Sequence, residues 1–167
     1  MADHEALNEL ATALVNDLTA ASKAVATAES CTGGWVAKAI TDVPGSSVCF
    51  GYGVVSYANG AKESILGVQN QTLEENGSVS EPVVEEMAEG VLNLSGADIA
   101  IAVSGIAGPD GGTDEKPVGT VWFAWAIREH SKVRIESSCK QFDGDREAVR
   151  ELTVAYALQG ALERIDA

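Results

Sequence analysis

Two short apolar segments constrain the fold of this chain more than any other feature of its sequence. Residues 24–29 ("AVATAE") and 97–105 ("ADIAIAVSG") have the length and composition of strands buried on both faces. An amphipathic helical pattern covers the first 22 residues. A further helix is predicted to begin at the start signal "SEP" (residues 80–82) and to stop at Gly96. Helices that alternate with buried strands predict a three-layer α/β/α sandwich with a mixed, mostly parallel sheet.

The remaining elements fit one domain over residues 1–167. Residues 47–57 predict a strand whose two glycines indicate a bulge, and residues 33–41, 59–66 and 70–76 predict short helices. Residues 119–129 and 132–142 alternate as two strands around "HS", which predicts an antiparallel hairpin. Residues 143–165 predict a closing helix with Asp145 near its cap.

Composition excludes several classes of function. The formal net charge of −14 repels nucleic acid phosphates, and no run of about 20 apolar residues predicts a membrane span. Three widely spaced cysteines and an acidic N-terminus without a signal peptide predict a reduced, cytoplasmic protein. Only two histidines are present, which argues against a Ser-His-Asp triad and against a zinc site with several histidine ligands. We expect no metal and no cofactor.

Ser30 stands between a predicted strand and a predicted helix, in the stretch "AESCTGGW". A serine in this position is often only a helix cap, but ligands of α/β proteins collect at the carboxyl ends of strands. Because histidine is scarce, the available base is Lys62, whose pKa burial would have to lower. Glu29 argues against this, since a neighbouring carboxylate would keep the amine charged, and its role stays open. Cys31 is the rival nucleophile.

The segments that follow are too many and too well ordered to match a known family by chance: "AESCTGGWVAKAITDVPGSS", "VVSYANGAKESILGV", "GSVSEP", "SGIAGPDGGTDEKPVGTVWFA" and "GDREAVR". Together they resemble the CinA C-terminal domain family over residues 7–162. The resemblance implies an α/β/α fold and hydrolysis of the carboxamide of nicotinamide mononucleotide, which gives nicotinate mononucleotide and ammonia. It also implies a catalytic set that falls on Ser30, Tyr57 and Lys62.

We expect Ser30 to attack the amide carbon while Lys62 accepts its proton, directly or through Tyr57. The backbone amides of residues 31–33, or those of the glycine-rich loop at residues 105–108, would bind the oxyanion. Arg146 would bind the 5′-phosphate, and Glu29 would face the positive charge of the pyridinium ring. The residues expected to bind substrate are Glu29, Thr32, Gly33, Gly105, Ala107, Gly108 and Arg146.

Two other functions remain open at this point. The chain could be a nucleotide-binding regulatory module that has lost turnover, or a thiol hydrolase that uses Cys31. We expect the partners of this protein to be a small-molecule nucleotide substrate and further copies of the chain, as a homodimer or higher homo-oligomer, with neither nucleic acid nor membrane.

Overall fold

The computed structural model describes residues 4–165, in which helices and strands alternate along the chain. The helices are α1 (His4–Ala21), α2 (Trp35–Thr41), α3 (Asn59–Leu66), α4 (Asn70–Asn76), α5 (Glu81–Ser95) and α6 (Arg146–Leu162). The strands are β1 (Val25–Glu29), β2 (Phe50–Val55), β3 (Ile99–Gly105), β4 (Thr120–Glu129) and β5 (Lys132–Gln141). No helix within residues 4–165 combines the length and the apolar character needed to cross a membrane.

The strands form one five-stranded sheet in the order β2-β1-β3-β4-β5. Strand β1 pairs in parallel with β2 and with β3, whereas β4 is antiparallel to both β3 and β5. Strand β5 therefore runs in the same direction as the first three, and β4 alone runs in the opposite direction. The predicted α/β/α sandwich with a mixed sheet is confirmed.

The two faces of the sheet carry side chains of different size. One face is built from large side chains and packs against α1, α2 and α6, while the other is built mainly from alanine and packs against α3, α4 and α5. The large buried side chains of the strands are Val25, Ile99, Ile101, Val103, Val121, Phe123, Trp125 and Ile127. The alanines are Ala26, Ala28, Ala100, Ala102, Ala124 and Ala126. A face of methyl groups lets α5 approach the sheet closely, because packed layers leave few voids.

Several predicted boundaries shift in the structure. The helix predicted over residues 33–41 begins only at Trp35, because Gly33 and Gly34 have φ angles of +60° and +102° and form a turn. The strand predicted over residues 47–57 is shorter, since residues 46–48 form a 3₁₀ turn. The closing helix spans residues 146–162 rather than 143–165. Residues 1–3 of the first predicted helix lie outside the described residues.

The predicted bulge is confirmed in β2. Val25 pairs with Phe50, but the next residue of β1, Ala26, pairs with Tyr52. Gly51 is therefore the extra residue. Such an insertion bends the strand and increases its twist.

Gly90 provides a test of how closely α3 packs on α5. A Cβ atom at Gly90 would collide with the Leu66 carbonyl, whereas a Cβ atom at Gly60 in α3 meets nothing within 4 Å. Gly90→Ala should therefore lower the free energy of unfolding by about 1–3 kcal/mol, the usual cost of overpacking. The matched change Gly60→Ala should raise it by about 0.5–1 kcal/mol, because alanine favours the helix. Urea denaturation followed by circular dichroism measures both, and equal effects would contradict the close packing.

Candidate active site

The carboxyl ends of β2, β1 and β3 lie side by side at one edge of the sheet. The chain leaves β1 at Ser30, β2 at Ser56 and β3 at Ile106, so the residues that follow these strands surround one space. A cavity of about 270 Å³ opens there. Its lining consists of Ser30, Cys31, Tyr57, Ser78, Val79, Ser104, Gly105, Ile106, Ala107, Asp110, Gly111 and Arg146.

Ser30 lies against the side chain of Lys62 at the inner wall of this cavity. Lys62 Nζ is 2.9 Å from Ser30 Oγ, 2.8 Å from the Ser56 carbonyl and 3.2 Å from the Tyr57 carbonyl. The lysine is 1% exposed and the serine 8% exposed. The helix α3 thus delivers a long amine through the interior to the hydroxyl that follows β1.

Burial of Lys62 shifts its protonation equilibrium towards the neutral amine. Burial lowers the pKa of Lys62 from its ordinary value, since an ammonium group loses hydration in the interior. No carboxylate of residues 4–165 forms an ion pair with it. As an ammonium group Nζ donates to all three neighbours. As a neutral amine it keeps two N–H donors for the two carbonyls, and its lone pair then faces the Ser30 hydroxyl.

Within residues 4–165, Glu29 forms no ion pair with Lys62, and it does not line the cavity, although the sequence predicted it to contact the substrate. The carboxylate is 1% exposed and lies under the start of α2, where it accepts hydrogen bonds from Thr32 Oγ1 at 2.5 Å, the Val36 amide at 2.8 Å and the Ala37 amide at 3.0 Å. A carboxylate in this place stabilises the first amides of a helix, which have no partner within it. Glu29 therefore anchors the turn that follows Ser30.

Two further residues predicted to bind the substrate, Thr32 and Gly33, also lie outside the cavity lining. Thr32 is fully buried and donates to Glu29, while Gly33 lines a different cavity on the α1 side of the sheet. The turn through residues 31–34 causes this, because it carries the chain from the cavity to the opposite side within two residues. Gly105 and Ala107 do line the cavity, and the Gly108 carbonyl accepts a hydrogen bond from Arg146 at its rim.

Cys31 lies in the cavity wall, but its thiol is poorly suited to attack. Burial, with a smaller contribution from Glu29, raises the pKa of the Cys31 thiol to about 12. A thiol with so high a pKa holds almost no thiolate at neutral pH, and the thiolate is the nucleophile. The geometry thus favours Ser30 over the rival residue next to it.

Arg146 crosses the mouth of the cavity from the first turn of α6. Its Nη1 donates to the Gly108 carbonyl at 2.7 Å and its Nη2 donates to Tyr57 Oη at 3.1 Å. A guanidinium group has five N–H donors, so three remain for a ligand. The Tyr57 hydroxyl is engaged at the mouth, whereas Ser30 and Lys62 touch directly, so the direct proton route needs no relay through tyrosine.

Sequence reasoning missed part of the lining, above all Asp110, which is the carboxylate of the cavity. It also missed Ser78 and Ser104, which are joined by a 2.8 Å hydrogen bond from Ser104 Oγ to the Ser78 carbonyl. The position of Ser104 at the end of a buried strand was the available signal. Ser78 stands in the segment "GSVSEP", but its place in the cavity depends on the packing of α5 beside β3, which no local pattern reveals.

Comparison with known proteins gives a consistent result. The family model of the CinA C-terminal domain matches residues 7–165 of this chain. The chain is 54% identical to the nicotinamide-nucleotide amidohydrolase PncC of Escherichia coli strain K12, over 95% of this chain and 94% of that protein. It is 52% identical to the PncC of Pseudomonas putida, over 94% of this chain and 96% of that protein. The crystal structure of the competence damage-inducible protein A from Klebsiella pneumoniae superposes with a TM-score of 0.91 at 42% identity, covering 96% of this chain and 97% of that one.

Proposed function

This chain belongs to the CinA C-terminal domain family, and from that membership we propose that it is a nicotinamide-nucleotide amidohydrolase with Ser30 as its nucleophile. The enzyme converts nicotinamide mononucleotide and water into nicotinate mononucleotide and ammonia. The observation that carries the proposal is the buried 2.9 Å contact between Ser30 Oγ and Lys62 Nζ at the wall of the cavity.

The first half of the reaction forms an ester on the enzyme. Ser30 Oγ attacks the carboxamide carbon while its proton passes to the lone pair of Lys62 Nζ. The ammonium group thus formed then gives a proton to the amide nitrogen, the C–N bond breaks, and ammonia leaves. Both proton transfers use the same atom, which already lies within hydrogen-bond distance of the serine.

The second half releases the product. A water molecule attacks the ester carbon, Lys62 accepts the proton of this water, and the C–O bond to Ser30 breaks. The proton then returns from Nζ to Ser30 Oγ, which restores the starting state. The carbonyls of Ser56 and Tyr57 stabilise the ammonium group whenever it forms, because each accepts one of its hydrogens.

The Cys31 amide is the donor we assign to the oxyanion. It follows the nucleophile directly, and Cys31 lines the cavity. Within residues 4–165 this amide has no acceptor except its own sulfur. Two amides considered from the sequence are already used, since Gly33 donates to the Ser30 carbonyl and Ile106 to the Thr120 carbonyl. A donor beside the nucleophile that is bound to no carbonyl or carboxylate can stabilise the negative charge of the transition state without reorganisation.

Charges of opposite sign at the cavity suit the two ends of the substrate. Arg146 carries spare N–H donors for the phosphate, and Asp110 supplies a carboxylate for the positively charged pyridinium ring. Asp110 thus takes the role expected of Glu29. A product with a new carboxylate would be bound less well beside Asp110, which favours its release.

The arrangement argues against the two other functions. A regulatory module that only binds a nucleotide gains nothing from a lysine buried against a serine, since removing an amine from water costs free energy. A thiol hydrolase would need a Cys31 thiol with a lowered pKa, whereas burial raises it to about 12.

We also propose the cytoplasm as its location and self-association as its state. All three cysteines are unpaired, and two of them are buried, as suits a reducing compartment. The exposed edge strand β2 presents Tyr52 and Val55, each about half exposed, which supports contact with a second copy.

Substitution of Ser30 and of its neighbour Cys31 distinguishes the two candidate nucleophiles. Ser30→Ala should lower kcat for ammonia release from nicotinamide mononucleotide by about 10³-fold or more, because no other hydroxyl of residues 4–165 forms a hydrogen bond with Lys62 Nζ. The matched variant Cys31→Ala should keep kcat within about threefold, since alanine fits a small buried site. A coupled ammonia assay measures both. A dead cysteine variant beside an active serine variant would reverse the assignment.

The role of Lys62 as the base makes activity depend on pH. The value of kcat should increase with pH as Lys62 loses its proton, and decrease in acid as Lys62 gains one. Because burial lowers the pKa of Lys62, this change should occur at a lower pH than it would with an exposed lysine. Lys62→Arg should be inactive at every pH, since guanidinium does not lose its proton. In the folded chain Lys62 binds its proton less tightly than in the unfolded chain, so this residue makes the free energy of unfolding increase with pH between its two pKa values. A flat pH profile of single-turnover rates would contradict the proposal.

If Arg146 binds the 5′-phosphate, its removal should affect only ligands that carry this group. Arg146→Ala should weaken the binding of nicotinamide mononucleotide by about 1.5–3 kcal/mol, which is roughly ten- to a hundredfold. Binding of nicotinamide riboside, which lacks the phosphate, should change by less than about threefold. Isothermal titration calorimetry on the Ser30→Ala background measures both ligands without turnover. Equal losses for the two ligands would show that Arg146 supports the loop and not the phosphate.

A further inference from the structure

Arg150 holds the turn that follows the nucleophile. From the second turn of α6 its Nε donates to the Cys31 carbonyl at 3.0 Å, and its Nη2 donates to the Thr32 carbonyl at 3.0 Å. The guanidinium carbon lies 5.4 Å from the centre of the Trp35 ring. Two consecutive carbonyls and an aromatic ring thus fix this side chain, which is half-buried.

The two carbonyls set the direction of the peptide units around Ser30. In a planar trans peptide the C=O and the N–H point in opposite directions. The Thr32 carbonyl is bound by Arg150, and the N–H of the same peptide unit, which belongs to Gly33, donates to the Ser30 carbonyl at 3.1 Å. This hydrogen bond also fixes the next peptide unit, which contains the Ser30 carbonyl and the Cys31 N–H. The Cys31 N–H therefore points in the direction opposite to the Ser30 carbonyl.

A chain of contacts therefore runs from α6 to the amide that we assign to the oxyanion. It begins at the guanidinium of Arg150, passes through the Thr32–Gly33 peptide, and ends at the Ser30–Cys31 peptide. Donors that stabilise an oxyanion act through their fixed direction, so a small rotation of this peptide would weaken them.

We propose that Arg150 is a positioning residue for the amidase, one that orients the Cys31 amide toward the oxyanion without touching the substrate. This inference rests on the proposed function. The side chain must be arginine, because a planar guanidinium reaches two carbonyls at once and the single nitrogen of lysine does not. Arg146 and Arg150 lie one turn apart on α6, so the same face of this helix holds both the cavity mouth and the turn.

Arg128 offers a matched control for the loss of such contacts. Its Nε donates to the Ala97 carbonyl at 3.2 Å and its Nη2 donates to the Leu92 carbonyl at 3.4 Å. It lies where β3 begins, at the end of the sheet away from Ser30. Arg128→Ala therefore removes the same two kinds of hydrogen bond without reaching the nucleophile turn.

The test compares Arg150→Ala, Arg150→Lys and Arg128→Ala by steady-state kinetics with nicotinamide mononucleotide. Both Arg150 variants should lose up to about 100-fold in kcat, with KM changed by less than about threefold, because the donor acts mainly in the transition state. The pH at which kcat is half-maximal should stay where it is, since Lys62 is untouched. Arg128→Ala should keep its kcat within about threefold.

Rescue by guanidinium separates positioning from general loss of structure. A cavity of about 470 Å³ adjoins Arg150 on the side away from Ser30, so truncation leaves room for a small cation. Guanidinium chloride at millimolar concentration should raise the kcat of Arg150→Ala by about tenfold or more, and should leave the kcat of Arg128→Ala unchanged. If Arg150→Ala does not fold, as judged by circular dichroism, Arg150→Lys carries the same kinetic comparison.

Amide hydrogen exchange gives a readout that does not depend on activity. By NMR, the Gly33 amide should exchange faster in Arg150→Ala than in Arg128→Ala, because its hydrogen bond to the Ser30 carbonyl loosens. An unchanged kcat together with unchanged exchange would overturn the inference, as would an equal loss of kcat in Arg128→Ala. If the unmodified protein releases no ammonia, the proposed function fails, and the exchange comparison still decides the role of Arg150.

Discussion

The burial of one lysine amine governs the rest of this structure. Lys62 reaches from α3 to the end of β1, and its Nζ is surrounded by two carbonyls and the Ser30 hydroxyl. A buried ammonium group without a carboxylate is unfavourable, so the neutral form gains, and burial lowers the pKa of Lys62 accordingly. The carbonyls of Ser56 and Tyr57 limit this effect, because they keep the charged form accessible during a reaction. A catalytic base must be able to exist with and without the proton. In this site burial favours the neutral amine, and the two carbonyls stabilise the ammonium group.

Placing that amine requires a particular packing of the layers. The alanine face of the sheet brings α5 close, and Gly90 in α5 lets the Leu66 carbonyl of α3 approach without a side chain between them. On the other face, Arg150 of α6 and the carboxylate of Glu29 hold the turn after Ser30 from two directions. The serine is thus held by the large-residue side of the sheet, and the lysine is delivered from the alanine side. Their meeting point is the carboxyl edge of the sheet, between the two layers of helices.

Glu29 and Asp110 have different roles beside the site, which explains how a strongly acidic chain accommodates a free amine. Glu29 is occupied by the amides of Val36 and Ala37 and by Thr32, so it does not hold Lys62 in the charged form. Asp110 lies in the cavity lining and is exposed, where solvent screens its charge and a cationic ligand can reach it. With a formal net charge of −14, the position of each acid matters more than its number.

The order of the elements and the residues that begin each loop could be derived from the sequence, because both depend on local properties. Helical periodicity, buried strand segments and glycine or proline stops predicted α3, α4 and α5 with their observed bounds, and the strand ends placed Ser30 and Tyr57 at one edge. The direction of each side chain was decided only by the tertiary structure. Local sequence does not reveal that the turn through Gly33 and Gly34 carries Thr32 away from the cavity, or that Glu29 lies under a helix start. Long-range contacts decide such matters: Asp110 enters the cavity and Arg150 reaches the Cys31 carbonyl only because the sheet brings together segments about 80 to 120 residues apart in the chain.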